Sequence, residues 1–135
     1  MQKLVRVSFT YMIIGLLSGI YYREFTKIHD FTDKTQLSVL HTHILILGMF
    51  FFLIVLLLEK NFKLTEQKQY KLFYAIYNSG LGLTILMMLI NGTTTVLGKA
   101  THPAMAGISG LGHIIMTIGL IYFFIVLKNA VKIVK

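Results

Sequence analysis

The chain has 135 residues, of which 56% are apolar, with 13 Lys and Arg against 5 Asp and Glu and no cysteine. That apolar fraction, with a mean hydropathy of +0.74, lies far outside the range of soluble domains and indicates an integral membrane protein. The missing cysteines exclude disulfides, thiolate metal sites and c-type haem attachment; the positive charge is split among short segments at the ends of apolar runs, which reads as membrane topology and not as a nucleic-acid surface.

A helix crosses the hydrocarbon core with roughly 20 apolar residues, and four stretches suffice: about 4–22, 37–58, 70–90 and 107–126. The predicted fold is therefore all-α, a single transmembrane four-helix bundle over 1–135 in contact with the lipid bilayer. The first stretch, Leu4–Tyr22, is expected to be a retained helix, because it is long and has no small-residue cleavage site. Within it Gly15 and Gly19 form a GxxxG spacing that lets a neighbouring backbone come close. The polar loop from Arg23 to Gln36 follows, and the capping-box spacing of Asp33 and Gln36 predicts a second helix starting near Lys34. That helix runs to Glu59, and the short basic connection to Gln69 predicts that helices two and three are adjacent and antiparallel. Helix three carries the polar patch Tyr77-Asn78-Ser79-Gly80, in which Asn78 reads as a hydrogen-bonding tie between helices. The loop Asn91–Ala106, with Gly92, Gly98, Pro103 and three consecutive threonines, is the expected mobile segment. Nine bases (Lys3, Arg6, Lys60, Lys63, Lys68, Lys71, Lys128, Lys132, Lys135) fall on one side of this topology and four (Arg23, Lys27, Lys34, Lys99) on the other, which predicts cytoplasmic termini.

Of five histidines, His29 and His102 belong to outer loops and read as solvated. His41, His43 and His113 lie inside apolar helices, where an ionisable residue is costly and points to function. At 1.5 Å per residue, His43 and His113 each sit roughly 9 Å below the outer boundary, with His41 slightly shallower. Residues two apart on a helix differ by about 200° in direction, so His41 and His43 cannot clasp one small ion together. One is expected to look into its own bundle towards His113, and the other towards another helix or subunit. Flat macrocycles gripped axially by imidazoles from different helices suit this spacing, which predicts haem b with His41, His43 and His113 as candidate iron ligands. Ser109 and Gly110 beside His113, and Ser38 and Gly48 flanking His41, leave room for a macrocycle, though small residues also serve bare helix packing. Arg23, Lys27 and Lys99 are candidate partners for haem propionates, and also plain interface anchors. An imidazole turned away from its own bundle needs a partner, so a homo-oligomer is expected. The competing readings are a zinc or copper binder, since imidazole suits both metals, a small transporter, disfavoured because every acid lies in a loop or at a helix end, and an assembly subunit whose histidines only hydrogen-bond. No pattern assigns an electron donor, an acceptor or a turnover reaction.

The segments "HTHILILGMFFFLIVLLLEKNF", "YNSGLGLTILMM" and "GISGLGHIIMTIGL" resemble a family of small uncharacterised bacterial four-span membrane proteins, and they cover most of helices two to four. The His-Thr-His followed by glycine is also similar to the second helix of the last four-helix unit in the catalytic subunit of haem–copper oxidases. There such a pair serves two haems on opposite helix faces, in a ring of three pseudo-equivalent four-helix units. This resemblance implies that His41 and His43 are haem ligands, that one chain corresponds to a third of the ring in a homotrimer, and that the protein resides in the bacterial cytoplasmic membrane. The adjacent histidine pair that helps hold copper in the oxidases has no counterpart, since only His113 lies in a later helix, which sets oxygen reduction at a haem–copper pair apart from what is implied.

Overall fold

Long apolar runs whose one proline lies at a helix start fold, in a computed structural model that describes residues 1–100 and 103–133, into four helices: α1 (Gln2–Ile28), α2 (Leu37–Phe62), α3 (Tyr70–Val96) and α4 (Pro103–Ile133). All four are long and apolar enough to cross a membrane, and no strand occurs among the described residues. The fold is that of a multi-pass, all-helical membrane bundle. One end carries the start of α1, the end of α4 and the α2–α3 connection; the opposite, far end carries the ends of α1 and α3 and the starts of α2 and α4.

Each helix outlasts its apolar core. α1 continues past Tyr22 and takes in Arg23 and Lys27 before Asp30, at φ 47°, turns the chain. α3 continues through the threonines expected in a loop, because Thr94 and Thr95 donate their hydroxyls to the carbonyls of Ile90 and Asn91 at 2.7 and 2.8 Å. α4 starts at Pro103, a residue suited to the first helical turn. The Asn91–Ala106 segment is thus mostly helix, and its His102 falls outside the described residues. The capping box at Asp33 is also absent, since α2 begins at Leu37 without a cap from Gln36. The buried Thr35 does that work: its hydroxyl accepts from the Leu37 N–H at 3.3 Å and donates to the Gly92 carbonyl of α3 at 2.9 Å. At the near end α2 stops at Lys63, φ 49°, and the buried Glu59 carboxylate accepts from both the N–H and the hydroxyl of Thr65, at 2.8 and 2.5 Å.

The helices form two tight pairs, α1 with α2 and α3 with α4, joined along α2 and α3. Both pairs depend on glycine. A Cβ on Gly15 would lie 2.7 Å from Leu45, one on Gly48 would enter the Tyr11 ring, and one on Gly119 would lie 2.7 Å from the Tyr77 Cα. Gly80 is pressed against the Met116 backbone, and Gly112 against Thr84. Between the pairs, Phe51 of α2 meets Phe73 and Tyr77 of α3 and Phe123 of α4, with ring centroids 6.2, 4.3 and 5.3 Å away. α1 reaches α3 by polar side chains: the Tyr11 hydroxyl donates to the Asn78 amide oxygen at 2.8 Å, and the Tyr21 and Thr93 hydroxyls bond at 3.0 Å. Asn78 is therefore the interhelical tie expected of it.

The middle of α2, Ile44–Phe50, is π-helical, a feature the sequence reading did not include. A π turn widens the helix and offsets its carbonyls, and the Tyr77 hydroxyl donates to one of them, that of Leu47, at 2.8 Å.

Glycine position decides the cost of adding a side chain. Gly80→Val is expected to lower stability by about 1–3 kcal/mol through overpacking. Gly82, where a Cβ meets nothing within 4 Å, should accept alanine with no loss. Thermal unfolding of both variants in detergent, followed by circular dichroism, measures the difference; equal midpoints would disprove the packing role of Gly80.

Candidate functional site

α2 brings its two histidines to opposite sides, as the α-helical stretch Leu37–His43 requires. His41 faces α1: its Cβ and Cγ lie 3.7 and 3.8 Å from where a Cβ on Gly19 would stand. It therefore looks into its own bundle, but towards α1 and not towards His113. Its Nδ1 is buried with no hydrogen-bond partner, and Nε2 has only Thr42 at 3.4 Å. His43 is half-buried on the other side of α2, and His113 is exposed on the outer surface of α4.

α3 is a ruler for depth. Leu37 packs on Gly92 and Phe51 on Tyr77, while Gly112 packs on Thr84 and Gly119 on Tyr77. Carried along the antiparallel helices, these registers set His43 opposite Leu86 and His113 opposite Leu83, about 4–5 Å apart in depth. The two also border one seam. α1 and α4 lie on opposite sides of the α2–α3 contact, so the flank of α2 turned away from α1 is the flank that meets α4 at Phe51 and Phe123. His43 lies on that flank, about two turns nearer the far end. His113, about 100° round from the α3-facing Gly112, lies on the flank of α4 that borders α2. Among the described residues the main contact between α2 and α4 lies in the near-end half of α2, over Phe51–Phe62, and the histidines stand nearer the far end.

The tautomers are fixed by the backbone. His43 Nδ1 bonds the Val39 carbonyl at 2.9 Å and His113 Nδ1 bonds the Ser109 carbonyl at 3.0 Å. A carbonyl only accepts, so each Nδ1 carries a proton, and in the neutral ring each Nε2 keeps a free lone pair. Metal-bound imidazoles are commonly oriented by such a bond. His29 makes the same bond to Phe25 at 2.9 Å, at the exposed end of α1. What separates His43 and His113 from it is an apolar setting, with Val39, Ile46 and Phe50 exposed on one helix and Ile114 and Ile118 on the other.

The remaining candidates are scattered. Ser109 gives its hydroxyl to Met105 and accepts from the Asn91 amide at 3.1 Å. Gly110 is open, with nothing within 4 Å of a Cβ, whereas the room at Gly48 is taken by Tyr11. Arg23 is 81% exposed and pairs with Glu24 at 3.4 Å. Lys27 and Lys99 are exposed at the same end of the bundle. Among the described residues no three His, Asp or Glu side chains come together in a way that could hold a metal ion. A groove of about 630 Å³ opens between α1 and α3, lined by Ile14, Leu17, Tyr21, Leu89 and Thr93 among others, with Leu40 and Ile44 of α2 and without a histidine. Sequence reading missed it, because its mostly apolar lining reads as ordinary membrane helix.

Comparison with curated proteins and with solved structures gives no match. The likeness to a four-helix unit of haem–copper oxidases accordingly stands on the His-Thr-His motif and the helix count. A family model described as a protein of unknown function (DUF2871) matches residues 1–130, nearly the whole chain, and the protein belongs to that family.

Proposed function

We propose that the chain is a haem b-binding membrane protein that works as a homo-oligomer, with His43 and His113 as iron ligands and electron transfer or haem or gas sensing as its task. The observation that carries this reading is the pair itself: two imidazoles within about one helical turn of each other in depth, bordering one seam in an apolar surface, each with its Nδ1 tied back to a backbone carbonyl and its Nε2 without a partner. Burying a free imidazole nitrogen in hydrocarbon is costly, so a ligand or a partner at that nitrogen removes a penalty that packing alone leaves in place. Bound there, a haem would supply a one-electron couple or a gas-binding iron. His41 would have to leave the α1 contact to join them.

One chain offers these imidazoles on an open surface and not in a pocket, so a macrocycle needs a second wall. A neighbouring copy supplies it, and the oxidase analogy gives three copies in a ring. Arg23 and Lys27 sit on α1, across α2 from the seam, and as propionate partners they would serve a neighbour's haem; Lys99 shares that role. The excess of bases at the end with the termini supports a cytoplasmic position for that end, with the histidines nearer the outer face.

Protein made in haem-replete cells is expected to purify red, with a sharp Soret band and a low-spin, six-coordinate spectrum. Substituting alanine at His43 or at His113 should weaken haem retention by about a hundredfold or more, judged against the 10–100-fold cost of losing only a supporting group. His29→Ala should match the parent. A colourless protein that takes up no added haemin ends the proposal, and zinc or copper without porphyrin in elemental analysis would replace it with the metal-binding reading.

Native mass spectrometry in mild detergent tests the assembly. A trimer carrying haem is the expected species; a dimer discards the oxidase analogy and keeps the shared site, and a haem-loaded monomer discards both.

A further inference from the structure

The α1–α3 face is built unlike the others. Its helices are held by the Tyr11–Asn78 and Tyr21–Thr93 bonds. The 630 Å³ groove continues past Ile14 and Ile85 into a second one of about 510 Å³ that ends between Lys3, Arg6 and Tyr74. The lower groove has an apolar floor of Val7, Ile14 and Ile85 and is left open by Gly82, where a Cβ would meet nothing within 4 Å. Its mouth is cationic. Lys3 holds its ammonium 4.4 Å from the Tyr74 ring centroid, Arg6 lies about one turn further along α1, and Lys71 precedes Gly82 by about three turns on the same face of α3. None of these cations meets an acid: among the described residues the ion pairs are Arg23–Glu24 and Lys63–Glu66.

From this geometry we infer that the lower α1–α3 groove is a binding site for an anionic phospholipid, with the phosphate at Lys3 and Arg6 and one acyl chain lying along Val7, Ile14 and Ile85 past Gly82. Charge complementarity selects the occupant. A cluster of bases at the polar end of an apolar groove matches a molecule that is anionic at one end and hydrocarbon at the other. Length agrees, because Lys3 to Ile14 spans about 16 Å of helix, close to half of the roughly 30 Å hydrocarbon core. The site lies on the α1–α3 face, across the bundle from the α2–α4 seam, and does not depend on haem binding.

The test is native mass spectrometry of the full chain in mild detergent, after exposure to phosphatidylglycerol or phosphatidylcholine with identical acyl chains. The parent is expected to retain phosphatidylglycerol on the order of tenfold better. Lys3→Gln with Arg6→Gln should remove that preference, whereas Lys60→Gln with Lys132→Gln, which lowers the net charge equally at the same end, should keep it. Gly82→Leu, at a position with open space, should fold with the parent's unfolding midpoint and lose the bound lipid with its cations intact. A preference that survives the first pair, or disappears equally in the second, overturns the site. So does a dimer that is lost on Gly82→Leu while lipid binding persists, which would assign the groove to a second copy of the chain.

Discussion

Close backbone approach at glycine is the constraint from which the rest of this bundle follows. Between helices in a bilayer there is no hydrophobic driving force, because lipid tails are as apolar as leucine, and association rests on packing and hydrogen bonds. Gly80, Gly112 and Gly119 let α3 and α4 meet backbone to side-chain base over three successive turns, and Gly15 and Gly48 do the same for α1 and α2. Such contacts leave no space for a cofactor along those two seams. Room for a ligand lies away from those close contacts, along α1–α3 or along the far-end half of α2–α4.

The polar side chains divide in the same way. Tyr11, Tyr77, Asn78, Thr84 and Thr35 each satisfy a partner within the bundle, as an interior without water demands. Tyr77 has a second consequence. By donating to the Leu47 carbonyl it supports the π-helical turns of α2, and those turns set the angular offset between the segment bearing His41 and His43 and the segment bearing Phe51 and Phe52. The histidines are thus aimed by a tyrosine on another helix, two or three turns away.

Much of this architecture was legible in the chain. Four apolar runs specify four spans, the GxxxG of α1 specifies a close contact, and i, i+2 spacing specifies opposed histidines. The ends of the helices were not legible, because Thr93–Thr95 count as loop formers by composition yet are helical, with the Thr94 and Thr95 hydroxyls returned to the carbonyls four residues back and that of Thr93 bonded to Tyr21. The cap of α2 was misplaced because Thr35, not Asp33, is the residue buried against α3. Nor could periodicity separate His41, held against Gly19, from His43: that depends on which flank of α2 receives α1, a tertiary fact. The π segment has no local signature beyond a glycine in mid-helix, and the tie that accompanies it comes from thirty residues further along the chain.

The two histidine-bearing flanks also link ligation to symmetry. A twofold contact is isologous and sets a surface against its own copy, so seam against seam would bring His43 and His113 of one chain towards those of the next. A threefold ring is heterologous and sets the seam against a different flank of the neighbour. Among the described residues the other outward flanks carry no histidine within the apolar core, since His41 is turned into the α1 contact and His29 ends α1 in the polar zone. If the chain holds haem as proposed, a ring of three would draw both axial imidazoles from a single chain, across the far-end part of the α2–α4 seam, whereas a dimer could draw them from two. Counting subunits and identifying the ligands are for this fold the same question, answered from two directions.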